Sequence, residues 1–238
     1  MSSQTFLEHL AELRRRLIMV AVVLGAGTVA AFPFAGQAYR LLVAQADFTL
    51  VVLAVEEAFY LHLRIAFAIG LVLALPVLLY HTIAFIVPAL TRSEQRKLFL
   101  YLPMGFLLFL GGIAFAYWQV FPLLLRFFIG FTSEELSPVI TAGSYLGFVL
   151  STILPFGFLF ELPLVVVLLT SLGILTPDLM VRNRKFVILA LFVVAALLTP
   201  PDVVSQLLLA APLLVLYEAS ILISSVIMRT RRRERSPA

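Results

Sequence analysis

Two groups of carboxylates stand out in this sequence because their surroundings differ so sharply. Glu161 lies in Phe158-Leu159-Phe160-Glu161-Leu162-Pro163-Leu164, and no other charged residue falls between Leu146 and Leu172. A helix of that length crosses the hydrocarbon core of a bilayer, which places Glu161 near mid-membrane. A carboxylate at that depth costs about 3 kcal/mol on insertion scales; as a rule it faces protein or trapped water, has a partner and marks a site. The competing reading is a packing role, a carboxyl hydrogen-bonded to a neighbouring helix. Glu218 belongs with it in part, being near mid-membrane when measured from the basic end of its run and near the inner interface when measured from the other end.

Glu12 and Glu94, by contrast, stand on polar segments among arginines. An exposed carboxylate beside apolar surface grips a guanidinium through two parallel charge-assisted hydrogen bonds, a geometry that selects Arg over Lys and suits an Arg-bearing peptide. Each also has a local rival. Glu12 can pair along its own helix with Arg15 or Arg16, and Thr91-Arg92-Ser93-Glu94 fits a capping box in which Glu94 reaches back to the helix start.

Other chemistry finds little support. There is no Cys, which removes disulfides, thiolate metal sites and Cys nucleophiles. Ser, His and acidic residues are scattered over different depths, without a glycine-rich phosphate loop or paired metal ligands. His81 has no second His or Cys at ligand spacing and reads as an interfacial or packing residue. No catalytic residue, metal or cofactor is expected. The formal charge of +4 sits beside apolar runs, so membrane topology explains it better than nucleic acid does.

These residues must be positioned by membrane helices. Of 238 residues, 62% are hydrophobic and 13% charged, and the mean hydropathy is +1.09, far outside the range of soluble domains. The expected fold is an all-α integral membrane protein, one domain over 1–238, with six transmembrane helices near 17–34, 65–87, 98–120, 146–172, 186–198 and 203–228. Phe6, Leu7, Leu10, Leu13 and Leu17 recur at helical intervals, predicting an amphipathic N-terminal helix along the membrane surface before the first span. That first run is too long for a signal peptide and reads as a retained span. Ala35 to Tyr60 reads as the first external loop. The aromatic belt Tyr117-Trp118-Gln119-Val120-Phe121 ends the third span, and Pro122 opens a second external segment whose part from Leu123 to Phe131 lies at the interface.

Thr141 or Ser144 can cap the fourth span, which Pro155 and Pro163 should bend where Glu161 lies. Thr176-Pro177-Asp178 signals a helix start. The fifth run, Phe186 to Leu198, has only 13 residues. It covers about 20 Å against a core of about 30 Å, so the hairpin Thr199-Pro200-Pro201-Asp202 should sit below the outer surface with local thinning around it. Fourteen of the 17 Lys and Arg fall on the leader, second loop, fourth loop and tail, which puts both termini in the cytoplasm. The arginine-rich tail suits lipid headgroups.

Four motifs, in order, carry a family resemblance: His9-Leu10-Ala11-Glu12-Leu13-Arg14-Arg15-Arg16-Leu17; Ala84-Phe85-Ile86-Val87-Pro88-Ala89-Leu90 followed by Glu94 and Arg96; Phe160-Glu161-Leu162-Pro163; and Leu198-Thr199-Pro200-Pro201-Asp202-Val203-Val204-Ser205-Gln206. Together they resemble TatC, the polytopic receptor subunit of the twin-arginine protein translocase, over nearly the whole chain. The resemblance implies six spans with both ends in the cytoplasmic compartment of a prokaryotic inner membrane. It implies recognition of twin-arginine signal peptides on folded precursors, assembly with single-span TatA- and TatB-type partners and self-association, with export driven by the proton-motive force. By motif matching, Glu12 and Glu94 hold the signal arginines and Leu13, Arg14 and Phe85 shape that patch. Glu161 and Gln206 serve membrane-embedded contacts, and Asp202 the external hairpin. One departure is that Ala44-Gln45-Ala46-Asp47 stands where such proteins carry an Ala-Pro-Leu segment, while Glu57-Ala58-Phe59 and Arg64 still fit.

The alternative function is a proton-coupled small-solute transporter using Glu161. It needs several polar groups converging at mid-membrane, and the sequence offers few. Glu161, with Glu218 and Gln206, is therefore expected to contact a partner helix from an exposed, concave face.

Overall fold

The computed structural model describes residues 3–46, 48–86, 92–131, 139–198 and 202–235, with side chains at 11–46, 48–84, 101–131, 139–197 and 202–229. All regular structure among them is helical apart from one isolated parallel bridge between Val51 and Thr141. Five helical stretches are long and apolar enough to cross a bilayer: Ala11–Val43, Val55–Ala84, Tyr101–Ile129, Ala142–Ser171 and Val203–Arg229. Their outward faces are apolar, with Leu17, Val29, Leu107, Val215 and Leu222 all exposed. Lipid accepts such surfaces, so helix association has to come from close packing and polar contacts rather than from hydrophobic burial.

The chain divides into two compact units. The first comprises Met1–Phe106 and Pro138–Leu150. It holds α1 (Ser3–Ala31), a 3-10 turn (Phe32–Phe34), α2 (Ala35–Val43), α3 (Val55–Ile86), the start of α4 (Arg92–Phe115) and the start of α6 (Ala142–Leu159). The α1 and α3 backbones meet through small residues. A Cβ on Gly70 would lie 2.6 Å from the Thr28 nitrogen and hydroxyl, so only glycine fits there. Ala31, Ala35, Leu61, Ile65, Ala66, Ala142 and Leu146 form the adjoining core.

The sequence pattern predicts a separate surface helix before the first span, whereas α1 runs unbroken from Ser3 to Ala31. No Pro or Gly lies between Ser3 and Leu24, so nothing interrupts helix propagation. The region expected as an external loop contains α2, and α3 begins at Val55, well before the expected 65. Glu57 is the reason for the early start: its Oε2 accepts from the Leu53 N–H at 2.9 Å and its Oε1 from the Gly143 N–H at 2.9 Å. One carboxylate thereby joins the starts of α3 and α6. Thr141 caps α6 as expected, its hydroxyl accepting from Ser144 N–H at 3.1 Å.

The second unit comprises Leu107–Ser137 and Ser151–Ala238. Here α4 does not end at the aromatic belt. It passes through a π-helical turn (Ala116–Val120) into α5 (Phe121–Ile129), and the Phe121 N–H bonds back five residues to Ala116. That wider turn brings the chain to Pro122, whose missing donor ends most α-helices. The end expected near residue 120 is thus replaced by a continuous helix to Ile129.

Farther on come α7 (Leu162–Ser171), α8 (Pro177–Arg182), α9 (Arg184–Leu198) and α10 (Val203–Arg235). α7, α8 and α9 all pack on α10. Thr170 and Ser224 hydroxyls meet at 2.9 Å between α7 and α10, and the Tyr217 hydroxyl donates to the Met180 carbonyl at 2.9 Å. Thr176 caps α8 as its sequence predicts, accepting from the Leu179 N–H at 3.2 Å. α7 ends in a Schellman turn at Gly173, whose φ is 74° and after which Ile174 N–H returns to Leu169 at 3.0 Å. α9 has 15 residues, again short of a bilayer core.

Candidate functional site

Glu12, Leu13 and Arg14 are each exposed on α1, as are Leu17 and Ile18 a turn farther along. The Glu12 side chain is 49% exposed and engages Arg16 one turn along. Arg16 Nε donates to Glu12 Oε1 at 3.1 Å, and its Nη2 donates to the same oxygen. Arg16 is only 21% exposed, because its Nη1 turns inward and donates to the His81 carbonyl of α3 at 3.2 Å. His81 is in turn held against α1, its Nε2 lying 3.1 Å from Met19 Sδ. This is a contact between packed helices, the kind of role its isolation suggested.

The local pairing of Glu12 with Arg16 is therefore present, and it coexists with an outward-facing carboxylate beside exposed leucines. Phe85 lies in the last turn of α3 and Glu94 in the first turn of α4. Their side chains, and the capping box begun by Thr91, fall outside those described.

Glu161 occupies a break. α6 stops at Leu159 and α7 starts at Leu162, leaving Phe160 and Glu161 in a turn where Glu161 N–H bonds to Phe158 at 3.1 Å. Pro163 has no N–H to offer the carbonyl four residues back, so the ladder opens where Pro155 and Pro163 predicted. The side chain is not on an exposed face, as the sequence reading had it. Glu161 is 7% exposed, and both carboxylate oxygens are buried without a hydrogen-bond partner among the described residues. Packing next to this turn is close: α4 approaches α6 so tightly at Gly112 that a Cβ there would lie 2.5 Å from the Phe156 carbonyl and 2.8 Å from the Phe160 side chain. Phe115 stacks on Phe160 at 5.5 Å.

The other expected contacts have partners within the chain. Gln206 Nε2 donates to the Phe192 carbonyl at 2.9 Å, tying α10 to α9. Glu218 Oε2 accepts from Arg184 Nη2 at 2.7 Å, an exposed pair that joins the start of α9 to α10. Asp202 is an N-cap: its Oδ1 accepts from the Ser205 N–H at 2.7 Å at the start of α10. Residues 199–201 of the hairpin lie outside those described.

Sequence reasoning missed Glu57 as a structural carboxylate. Its signal was present in the Glu56-Glu57 pair at a helix start, but its second partner is 86 residues away. Glu56, Tyr60, Arg64, Thr141 and Ser144 line a recess beside it of about 410 Å³. Among the described residues no group of three or more His, Asp and Glu is placed to hold a metal ion.

The family model for the Sec-independent protein translocase protein TatC matches residues 8–212. The chain is 39% identical over 230 residues to the Sec-independent protein translocase protein TatCd of Bacillus subtilis (strain 168), covering 97% of this chain and 95% of that protein. It is 37% identical over 232 residues to TatC of Aquifex aeolicus (strain VF5), covering 94% and 96%. A crystal structure of the twin arginine translocase receptor TatC matches with a TM-score of 0.82 at 37% identity, over 92% of this chain and 98% of that one. An apolar helical fold, a family match across most of its length and close structural likeness agree: the chain belongs to the TatC family of Sec-independent protein translocase proteins.

Proposed function

We propose that this chain is the receptor and core subunit of a twin-arginine translocation system, binding the twin-arginine signal peptides of folded precursors. Glu12 and Glu94 take the two guanidinium groups, while Leu13, Arg14 and Phe85 form the walls of the patch. The observation that carries this reading is the exposed Glu12 carboxylate, set among exposed apolar side chains and already bonded to a guanidinium. A carboxylate so placed favours the planar donor fork of Arg over the point charge of Lys.

In this reading the chain spans the inner membrane six times, with α9 as a short span and both termini cytoplasmic. The basic clusters on the leader, loops and tail support that orientation. The short α9 supports a thinned bilayer beside it. TatA- and TatB-type single-span helices and further copies of the chain assemble on the membrane-embedded part, where α10 presents the half-exposed Glu218, and export draws on the proton-motive force. Family membership favours this over a proton-coupled small-solute transporter.

The test is site-specific crosslinking of a twin-arginine signal peptide and its Lys-Lys variant to the membrane-embedded chain. Glu12→Ala and Glu94→Ala should each lower capture of the twin-arginine peptide toward that of Lys-Lys. Equal capture of both peptides by the parent chain would refute the assignment.

A further inference from the structure

We propose that Arg16 is a resident guanidinium that occupies Glu12 in the empty receptor and has to be exchanged for an incoming arginine, so that it sets the affinity of the site. The proposal rests on the reading of Glu12 as an arginine-binding carboxylate, and concerns how that carboxylate is held when no peptide is present.

Arg16 offers Nε and Nη2, the two donors along one edge of its guanidinium, to a single Glu12 oxygen. A foreign arginine that grips the carboxylate through both oxygens needs Oε1 as well, so it has to take that oxygen from Arg16. An ordinary ion pair between residues four apart on an exposed helix samples many geometries. This one is pinned at a second point, because Nη1 donates to the His81 carbonyl on α3. Met19 and His81 fix that stretch of α3 against α1 from the other side.

The burial is asymmetric in a useful direction. The cation is 21% exposed and tucked toward α3, while the anion is 49% exposed and faces out. An arriving guanidinium reaches Glu12 without entering the helix pair, and Arg16 can leave the oxygen while keeping its bond to His81. Exchange replaces one set of charge-assisted bonds by another of the same kind. The apparent affinity is therefore reduced by the fraction of receptors in which Glu12 is already occupied. That moderation suits a receptor that must release its peptide after delivery.

Equilibrium binding of a fluorescent twin-arginine peptide to the full chain in nanodiscs tests this with Arg16→Gln, Arg16→Lys, Glu12→Gln and the Glu12→Gln/Arg16→Gln double variant. Exchange predicts that R16Q tightens binding roughly two- to fivefold, the range expected for releasing a partly exposed ion pair, with R16K in between. The gain should vanish in the Glu12→Gln background, which a merely structural effect of Arg16 on α1 would not do. Unchanged or weaker binding by R16Q, with E12Q still impaired, would overturn exchange and leave the arginine-binding role of Glu12 standing. Binding by E12Q equal to the parent would overturn that role and the exchange with it.

Discussion

Replacing Glu161 with methionine should make the isolated chain more stable. Glu161 is 7% exposed, and both of its carboxylate oxygens are buried without a hydrogen-bond partner among the described residues. A buried polar group left in that state costs about 1 to 3 kcal/mol. Methionine is close in length, flexible and apolar, so it fills the same space beside the Phe160 turn without that cost. The unfolding equilibrium should then shift toward the folded state by roughly 5- to 150-fold. Pro155 and Pro163, which open the helix, are untouched by the change. Reversible unfolding in mixed detergent micelles measures the shift, with Glu161→Gln as the comparison. Glutamine keeps a polar group in the same place and should recover little. A methionine variant no more stable than the parent would refute the reasoning, since the carboxyl would then be satisfied within the chain.

Two further predictions address packing and the joining of helix starts. Gly112→Ala places a Cβ 2.5 Å from the Phe156 carbonyl, whereas Gly111→Ala meets nothing within 4 Å. The first should cost about 1 to 3 kcal/mol and the second stabilise by about 0.5 to 1 kcal/mol; chemical unfolding of both in micelles checks the contrast, and equal effects would contradict the close approach. Glu57→Ala should speed amide hydrogen exchange at Leu53 and Gly143, whose N–H groups it accepts, and Glu57→Gln should preserve protection at only one of them. Exchange rates unchanged at both sites would show that the carboxylate does not join α3 to α6.

Features governed by neighbours in sequence were legible from the sequence. Pro155 and Pro163 announced the break at Glu161, Thr141 and Thr176 announced their caps, and the brevity of the fifth apolar run reappears as the 15-residue α9. Features governed by distant partners were not. The mixed composition from Ala35 to Tyr60, with Arg40, Asp47, Glu56 and Glu57, suggested a loop, yet Glu57 lies in the first turn of α3 and accepts from Gly143 in another part of the chain. The aromatic belt suggested a helix end, but a π turn carries α4 past Pro122. At the candidate site the spacing of Glu12 and Arg16 gave the ion pair, while the His81 carbonyl that anchors Arg16 is 65 residues away. Neither the burial of Glu161 nor the close pass of α4 against Phe156 and Phe160 at Gly112 is encoded in a local pattern.

The most direct test of the proposed function is the ratio of affinities for a twin-arginine peptide and its Lys-Lys counterpart, measured on the full chain in nanodiscs before and after Glu12→Gln. Charge-assisted bidentate bonding predicts a preference of roughly tenfold or more for the arginine pair, reduced in the variant to what the Glu94 site alone provides. A parent chain that binds both peptides equally, or a preference undiminished by the loss of the Glu12 charge, would contradict it.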